Sequence, residues 1–544
     1  MKVSLNWLKE LVEYNLTPKE LAEILSLTSI GVKQYTNDYL ELDLTYNRGD
    51  LLSLRGVARE IAAITGSKLL FSADNPPIYP KSTTPVQIED EKLSPIQCVA
   101  KIEGLKVGPS DQRWVKKLAD SGMRSVNNLV DVTNLIMLEF GQPFHAFDAQ
   151  RIKGETIIVR TAKNGEEIAT LDNKLRKLSS QDIVLADTEK PVDVAGVMGG
   201  KDTEVKESTE SILLSASMFN PSTIRQTSKR LGLYSEASRR FLHGLTKTNL
   251  LQALSAAIKM YESLGGKLIA ISLTGDLKDQ PKVVKLTQEK LNNLLGVNIK
   301  ANFVESSLKK LGFMLASQGR TLSAWEVEVP YWRLDVNIEE DLIEEVARMY
   351  GYDKIEGQPL KDETTQKLDQ TFYKFIYDLK NTLKDAGLTE VQTYSFYSTN
   401  VLSHLDWDKS KLVKIANPIS SETQYLRDDL WPNLLEVVAK NIRNGFKDVA
   451  IFEIGKVYSP QKGNLPSETY RLAIALSNST DNPINELNQI AQNLPGLQLS
   501  KDGILTKNKL FHPTRFSKGI AEVHLRVLNK LGIEKRAAVL EVDI

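Results

Sequence analysis

The sequence predicts a multidomain α+β protein, in which units that mix helices and strands follow one another along the chain. Its 544 residues suggest three to five domains, at roughly 100 to 200 residues per domain. Helical and strand-like patterns alternate, without an internal repeat of about 20 to 50 residues. A proline-rich stretch at residues 71–85 separates a first unit from the rest and reads as a linker.

Composition narrows the class of protein. The 69 Lys and Arg side chains balance 69 Asp and Glu side chains, so no global positive field attracts nucleic acid. A single cysteine, Cys98, excludes an intrachain disulfide and, with five histidines, leaves no zinc-type ligand set. No segment has the apolar core of a signal peptide or the roughly 18 apolar residues of a membrane helix. These features predict a cytoplasmic protein without a membrane partner.

The first predicted unit covers residues 1–70. Residues 17–20 form a capping box with proline at the first helical position. Residues 40–45 alternate apolar and polar side chains as a half-buried strand does. Residues 50–64 return to a helical pattern, which Gly66 ends. We expect a small α+β unit here.

Three further units follow. Residues 86–275 mix strand-like and helical segments and are long enough for one good core. Residues 282–357 predict a small helical domain in which glycines end two short helices. Residues 363–544 begin with an amphipathic helix near Phe372 and continue with a strand pattern at residues 391–396.

Acidic side chains gather in the small helical unit. Asp335, Asp341, Glu344 and Glu345 flank the apolar seam of a helical pattern. Oxygen ligands of this kind suit Mg²⁺. An acidic first turn that stabilises the helix dipole is the alternative, and the residues alone leave both interpretations open.

Several segments, in order along the chain, resemble the bacterial phenylalanyl-tRNA synthetase β subunit family. The resemblance is carried by residues 45–60, 124–134, 141–148, 331–335 and 344–352. The first of these is similar to the family's Thr-x-Asn-Arg-x-Asp segment. The next two resemble its B3/B4 module, and the last two its B5 module.

The resemblance implies the identity of each unit. Residues 1–70 would be a B1-like unit, 86–275 the B3/B4 editing-type domain and 282–357 the B5 domain. Residues 363–544 would be a catalytically degenerate class II synthetase-like core, built on an antiparallel sheet with helices. Residues 31–39 fill the place where the family inserts an OB-fold domain, and no ferredoxin-like anticodon-binding domain follows, so a shortened form is expected.

The resemblance also implies ligands and partners. The family forms an (αβ)₂ heterotetramer that uses ATP on the α subunit to charge tRNA(Phe). It assigns Mg²⁺ to the four acidic positions. No arginine pairs with Glu453 within its strand, as class II motif 2 demands, and no phosphate-binding loop is present. We therefore expect no catalytic residue for aminoacylation on this chain.

An editing pocket that hydrolyses mischarged Tyr-tRNA is implied as well. The matching positions are Arg124, Asn134, His145, Gly199, Ser215, Ser235 and Ala237. In the family a Glu accepts the tyrosine hydroxyl, where this chain has Ser215. Because losing a buried acceptor weakens recognition by a few kcal/mol, the sequence predicts impaired editing. The alternative for His145 is a core histidine without a functional role.

Two other functions remain open from the sequence. The B3/B4 resemblance alone would fit a free-standing hydrolase of mischarged tRNA. The B5 resemblance alone would fit a nucleic-acid-binding scaffold protein. The resemblance along most of the chain favours the synthetase subunit over both.

Overall fold

A computed structural model describes residues 1–71, 86–275, 279–315, 324–359, 368–405, 407–461, 463, 465–478, 482–494 and 519–544. The chain divides into two compact units, Met1–Pro359 and Leu360–Ile544. The predicted linker lies, apart from Phe71, outside the described residues. In the described ranges no helix is both long and apolar enough to cross a bilayer.

The N-terminal part contains a three-stranded antiparallel sheet in the order β1-β3-β2. Its elements are β1 (Lys2–Ser4), α1 (Leu5–Leu8), α2 (Pro18–Thr28), β2 (Gly31–Tyr35), β3 (Tyr39–Asp43) and α3 (Leu54–Thr65). The predicted capping box is confirmed, with Thr17 and Glu20 bonding each other's backbone N–H. Gly66 ends α3 at a φ of +72°, a left-handed conformation that glycine adopts without strain. Residues 31–39 form a strand and a tight turn.

Residues 86–275 form two main sheets. The elements are β4 (Val86–Ile88), β5 (Ile96–Glu103), α4 (Gln112–Asp120), α5 (Asn128–Phe140), β6 (Phe144–Asp148), β7 (Ile157–Thr161), β8 (Glu167–Ala169), β9 (Leu175–Lys177), β10 (Ile183–Ala186), β11 (Pro191–Val194), β12 (Met198–Gly199), β13 (Ser211–Met218), α6 (Pro221–Leu231), α7 (Glu236–His243), α8 (Lys247–Ser263) and β14 (Lys267–Gly275). One sheet has the order β12-β11-β10-β7-β4 and the other β14-β5-β13-β6, while β8 and β9 form a small hairpin.

Alternation along the strands divides this core in two. On β13, Leu213 packs with residues of the five-stranded sheet, whereas Leu214 and Ala216 pack against α5 and α8. On β5, Val99 likewise packs with residues of the five-stranded sheet, whereas Cys98 packs on the helix side. Because successive side chains of a strand point to opposite faces, every second residue of β13 faces the other sheet.

The region after residue 279 has the predicted helices and also a sheet. Its elements are β15 (Lys282–Thr287), α9 (Gln288–Leu295), α10 (Ala301–Lys310), β16 (Met314–Leu315), β17 (Ala324–Val329) and α11 (Glu339–Tyr350). The strands pair antiparallel in the order β15-β17-β16. Val284, Leu286 and Val327 bury one face of this sheet under the helices, so the small domain is α+β and not purely helical.

The second unit contains a five-stranded sheet in the order β18-β21-β22-β24-β23, antiparallel except for the β18–β21 pair. Its elements are α12 (Thr371–Asp385), β18 (Thr389–Glu390), β19 (Phe396–Tyr397), α13 (Thr399–His404), β20 (Tyr425–Leu426), α14 (Trp431–Arg443), β21 (Val449–Ser459), β22 (Ser467–Ser477), α15 (Pro483–Gln492), β23 (Gly519–Glu522), α16 (Leu525–Leu531) and β24 (Ala537–Asp543).

The strand predicted at residues 391–396 is wrong for most of its length, because only the short strands β18 and β19 flank this segment. Thr393 uses its backbone N–H and its hydroxyl to bind the carboxylate of Glu453, at 3.3 and 2.7 Å. Side-chain bonds therefore hold this segment where the alternating pattern predicted a ladder of backbone bonds.

Candidate functional site

A cavity opens between the two main sheets of residues 86–275. Ser215 on β13 lies one position from Leu214 and therefore faces the five-stranded sheet. It pairs directly with His145 on β6. His145 in turn lies beside Ala146, which packs on the opposite face. Strand alternation thus directs Ser215 and His145 into the same space.

The opposite wall comes from the five-stranded sheet and from α7. Asp193 on β11 pairs directly with Gly199 on β12, and Ala237 projects from α7. The cavity has a volume of about 420 Å³, including its open mouth. Most of the remaining lining is apolar and includes Phe144, Leu185, Val197, Met198, Phe219 and Phe241. A mostly apolar lining with a few polar side chains is typical of sites that bind small organic groups.

His145 is one polar group of the cavity. Its ring packs against Phe147 with centroids 4.3 Å apart, and its Nδ1 lies 4.0 Å from Asp193 Oδ2. Although a quarter of the side chain is accessible, Nε2 is buried and has no hydrogen-bond partner among the described residues. Burial lowers the pKa of His145 to about 4, so the imidazole is neutral near pH 7.

Asp193 is the second titratable side chain of the cavity. Only 6% of the residue is exposed, and Oδ1 has no hydrogen-bond partner in the part of the chain that the structure describes. Burial raises the pKa of this carboxyl to about 7, because removal from water disfavours the charged form. A buried carboxylate without a partner is costly to the fold, which makes its position in a cavity noteworthy.

Gly199 allows the histidine to occupy its place. A Cβ built on Gly199 would lie only 2.3 Å from His145 Cε1, so any side chain at this position would displace the imidazole. Gly196, in the turn between β11 and β12, has a φ of +69° and would bring a Cβ within 3.0 Å of the ring of Phe241. The glycines in this loop therefore serve both the turn and the cavity.

Ser215 is bound to a neighbouring strand. Gln97 on β5 donates from Nε2 to Ser215 Oγ at 2.9 Å and accepts from the Ser217 hydroxyl. Gln97 is completely buried. This bridge fixes both hydroxyls on the cavity floor and uses an acceptor site of Ser215.

The structure brings together four of the seven positions implied by the resemblance: His145, Gly199, Ser215 and Ala237 line the cavity. The other three, Arg124, Asn134 and Ser235, are not among its lining residues. Arg124 is exposed in the loop before α5, and Asn134 is partly buried on α5. Ser235 caps α7 and donates to the carbonyl of Val197 at 2.8 Å, so it supports the cavity wall from outside.

The four acidic positions of the predicted metal site have different environments. Arg333 holds Asp335 with two bonds of 2.8 and 2.9 Å. It holds both oxygens of Glu345 at 2.6 and 2.7 Å. Asp341 accepts from two backbone N–H groups at the start of α11, and Glu344 is exposed.

A buried chain of ion pairs continues from Glu345 into the N-terminal part. Arg348 bonds both Glu345 and Glu60 of α3, and Arg48 bonds Glu60 at 2.7 Å. Burial alone opposes ionisation of Glu345, but Arg333 and Arg348 overcome it and lower its pKa to about 2. Glu60 is likewise buried, and Arg48 and Arg348 hold its pKa well below the ordinary range. These carboxylates are therefore ionised and paired at neutral pH.

These contacts do not fit a resident Mg²⁺ held by the four predicted ligands. Both oxygens of Asp335 and of Glu345 are bonded to guanidinium groups, whose positive charge repels a cation. Across the described ranges, no group of three or more His, Cys, Asp or Glu side chains is placed to hold a metal ion.

The sheet of the second unit contains its own buried ion pair. Arg427 donates from Nη1 to Glu453 Oε1 at 2.8 Å and to Thr393 Oγ1 at 2.8 Å. Its Nε donates to the carbonyl of Lys456. Glu453 therefore has an arginine partner, which comes from the segment before α14 and not from its own strand.

Comparison with known proteins matches three parts of the chain to described domains. Residues 94–266 match the B3/4 domain, residues 284–352 the tRNA synthetase B5 domain, and residues 355–492 the phenylalanyl tRNA synthetase beta chain CLM domain. The phenylalanine–tRNA ligase beta subunit of Carboxydothermus hydrogenoformans is 39% identical over 80% of this chain and 55% of that protein. That of Syntrophus aciditrophicus is 34% identical over 97% of this chain and 68% of that protein.

This chain belongs to the phenylalanine–tRNA ligase beta subunit family. It spans little more than half the length of the Carboxydothermus relative. An N-terminal fragment of the phenylalanyl-tRNA synthetase beta-subunit from Pyrococcus horikoshii aligns with 64% of this chain and 99% of the fragment, at 18% identity and a TM-score of 0.37. The family membership and the multidomain α+β fold class expected from the sequence are confirmed.

Sequence reasoning missed Asp193 in this beta-subunit cavity. Val192 and Val194 flank it in a short alternating pattern, in which a polar residue normally faces solvent. In the structure all four residues of β11 are buried, because the strand lies between its neighbours and the facing sheet. The glycine-rich run that follows was the local signal of an unusual turn. Glu60 was missed for a similar reason, as a polar residue on the buried face of α3.

Proposed function

We propose that this chain is the supporting beta subunit of a cytoplasmic phenylalanine–tRNA ligase that charges tRNA(Phe) as an (αβ)₂ heterotetramer. One observation carries the proposal: the similarity to a phenylalanine–tRNA ligase beta subunit extends over 97% of this chain. A free-standing hydrolase or a nucleic-acid scaffold would have no need for the second unit, part of which matches the beta chain CLM domain.

The face of α12 supports a protein partner. Tyr373 and Tyr377 are 73% and 67% exposed and, four residues apart, lie on the same side of the helix. Phe372 is partly exposed next to them and packs edge-on against Tyr470, with ring centroids 5.2 Å apart. Exposed tyrosines are typical of residues that contribute most to protein interfaces. We infer that this aromatic face binds the α subunit.

We assign ATP and the aminoacylation chemistry to the α subunit. An arginine that clamps a phosphate needs a free guanidinium edge. Arg427 is buried, and its contacts with Glu453, Thr393 and the carbonyl of Lys456 already engage it. This arginine therefore serves the internal structure of the second unit.

The magnesium site implied at Asp335, Asp341, Glu344 and Glu345 stays a prediction. A bound ion would require Arg333 to release both Asp335 and Glu345. We propose instead that Arg333 and Arg348 supply the positive charge at this place. A carboxylate cluster balanced by arginines needs no cation to be stable.

Impaired hydrolysis of Tyr-tRNA, expected from Ser215, also stays a prediction. It assumes that no other buried group accepts a substrate hydroxyl in the cavity. Asp193 is a buried carboxyl group that lines the same cavity as Ser215. Whether hydrolysis of Tyr-tRNA is impaired therefore depends on whether Asp193 can accept a substrate hydroxyl in place of the family's Glu.

The main proposal is tested by co-expressing this chain with a candidate α subunit. We expect a native mass of two copies of each chain, phenylalanine-dependent exchange of pyrophosphate into ATP that requires both chains, and charging of tRNA(Phe). A chain that stays monomeric and hydrolyses Tyr-tRNA alone would support the free-standing hydrolase. A monomer that only binds nucleic acid would support the scaffold.

A further inference from the structure

The helices α6 and α7 carry an excess of positive charge in a chain whose overall charge is zero. Residues 221–243 contain five Lys and Arg side chains and one acidic side chain, Glu236, which gives a net charge of +4. Two of the arginines form ion pairs, Arg230 with Asp182 and Arg240 with Glu236. The local charge is therefore only partly balanced by carboxylates.

Three basic side chains of this pair of helices have no carboxylate partner among the described residues: Arg225, Lys229 and Arg239. Arg225 and Lys229 are exposed and lie four residues apart on α6, so they share one side of that helix. Arg239 and His243 share one side of α7 for the same reason. Burial and the positive charges of nearby arginines, first among them Arg239, lower the pKa of His243.

Tyr46 brings these two helix sides together. Its ring is 59% exposed, and its centroid lies 4.6 Å from that of the His243 imidazole and 4.9 Å from the guanidinium of Arg225. Gly49 allows this approach, because a Cβ at Gly49 would lie 2.7 Å from His243 Cβ. The basic sides of α6 and α7 thus meet at Tyr46 in one surface. We call this surface the basic patch, and it consists of Tyr46, Arg225, Lys229, Arg239 and His243.

The basic patch is separate from the cavity between the two main sheets of residues 86–275. Ala237 and Phe241 of α7 line that cavity. Arg239 and His243 lie roughly half a turn around the same helix from them, at 3.6 residues per turn. A ligand of the patch therefore does not need to enter the cavity.

A cleft opens beside the basic patch. It has a volume of about 510 Å³, including its open mouth, and His243, Arg59 and Trp332 are among its lining residues. The guanidinium of Arg59 lies 4.1 Å from the centroid of the Trp332 ring, and no carboxylate pairs with it in the part of the chain that the structure describes. Two carboxylates also line the cleft, but Asp50 and Asp335 are each held by two bonds from an arginine. Their negative charge is therefore offset.

This combination of groups fits RNA. A guanidinium without a carboxylate partner can bond two phosphate oxygens at once, and unpaired cations beside an exposed aromatic ring are typical of surfaces that bind nucleic acid. The cleft adds a space of the size that holds a small organic group, such as a base or a ribose. An acidic protein segment would use the cations but would have no need for the cleft.

We propose that the basic patch binds the phosphate backbone of RNA through Arg225, Lys229 and Arg239. This inference rests on the proposed function, because tRNA(Phe) would be the RNA that binds. Tyr46 is a positioning residue, whose ring holds Arg225 beside α7. Contacts of this kind add affinity and fix orientation without reading the base sequence.

Titration of the full chain with tRNA(Phe) at several salt concentrations tests the inference. Arg225→Gln combined with Arg239→Gln should weaken binding about tenfold at physiological salt. The same double variant should lower the salt slope by about two, because each phosphate contact contributes about one. Lys309→Gln combined with Lys310→Gln removes the same charge from the exposed end of α10 and should bind as wild type does.

Two outcomes of this titration would overturn the inference. If both double variants lose affinity equally, the chain attracts RNA only through its general charge. If the wild-type chain does not bind tRNA(Phe), or the Arg225 and Arg239 variant binds it as tightly as wild type, the patch is not an RNA surface.

Substitutions of Tyr46 test its positioning role. Tyr46→Phe keeps a ring against Arg225 and should bind tRNA(Phe) as wild type does. Tyr46→Ser removes the ring and should weaken binding about threefold, as expected for the loss of one cation–π contact. A loss in Tyr46→Phe as large as that in Tyr46→Ser would contradict this role.

Competition identifies the class of partner. Binding of poly-L-glutamate as tightly as tRNA(Phe), with the same loss in the Arg225 and Arg239 variant, would assign the patch to an acidic protein and overturn the inference. Charging of tRNA(Phe) by the complex with the α subunit is measured separately. Binding at the patch without charging would contradict the proposed function and leave the RNA surface standing, whereas charging with an unchanged KM for tRNA in the double variant would overturn the inference alone.

Discussion

His145 Nδ1 and Asp193 Oδ2 lie 4.0 Å apart across the space between two sheets. Each side chain is held in place by its own sheet: His145 opposite Ser215 on β13, and Asp193 opposite Gly199 on β12. Neither sheet could move toward the other without closing the cavity. The fold therefore holds the two side chains in place although burying these polar groups without hydrogen-bond partners costs free energy.

The cost of burying the ionised carboxylate of Asp193 predicts that Asp193→Asn stabilises the fold, by an amount that depends on pH. Burial raises the pKa of Asp193 from 3.8 to about 7, so between these values the folded state binds more protons than the unfolded state. The free energy of unfolding therefore falls as the pH rises through this window. At pH 8 the variant should be more stable than wild type by up to about 4 kcal/mol, at roughly 1.4 kcal/mol per pKa unit, and below pH 4 the gain should vanish.

Urea unfolding at pH 8 and at pH 4 measures this difference. His145 acts in the opposite direction, because its lowered pKa gives a contribution that is present above about pH 6.5 and lost as the pH falls through 4. Both proteins contain it, so its direct contribution largely cancels in the comparison. Asp202→Asn, at an exposed site, should show no gain at either pH. A destabilised Asp193→Asn at pH 8 would argue against an unpaired buried carboxylate.

The buried ion pairs predict a large effect for Glu60→Gln. Glu60 accepts from Arg48 and Arg348, and the substitution leaves two buried guanidinium groups short of charge. Breaking a buried pair from one side costs about 3 to 5 kcal/mol. Glu344→Gln, at an exposed site of α11, is the matched control and should change stability by less than about 0.5 kcal/mol. Calorimetric unfolding of the full chain measures both, and equal effects would contradict the role of the network.

The same network predicts that magnesium does not stabilise the wild-type chain. Because Arg333 engages both oxygens of Asp335 and of Glu345, millimolar Mg²⁺ or a chelator should leave the unfolding midpoint unchanged at matched ionic strength. Arg333→Gln removes this positive charge from Asp335 and Glu345, so Mg²⁺ should bind these carboxylates and raise the unfolding midpoint of the variant. A clear upward shift of the wild-type midpoint with Mg²⁺ would restore the predicted metal site.

The aromatic face of α12 predicts a loss of affinity for the α subunit. Tyr373→Ser and Tyr377→Ser should each weaken the complex by about tenfold, as expected for exposed tyrosines that become buried in an interface. Tyr234→Ser changes a tyrosine that is 74% exposed in the first unit and should have no effect on assembly. Titration of one chain with the other, followed by native mass measurement, reports the affinities. Unchanged assembly in both α12 variants would place the interface elsewhere.

Local sequence signals determined much of the architecture. The capping box at Thr17 and Glu20 fixed the start of α2, and Gly66 fixed the end of α3. These signals act within one or two turns of helix, so they can be read without the rest of the fold. The alternating pattern at residues 391–396 failed for the complementary reason. Its polar residue Thr393 binds Glu453, 60 positions away.

The sequence by itself determined the family, the multidomain α+β class and four of the residues that line the cavity, through motifs that are contiguous along the chain. Only the tertiary structure decided that Asp193 shares a cavity with His145. It also decided that Arg348 forms an ion pair with Glu60, which lies 288 positions away along the chain. The reason is physical. Periodicity and capping depend on neighbours a few residues apart, whereas the partner of a buried charge is chosen by the packing of whole sheets and helices against each other.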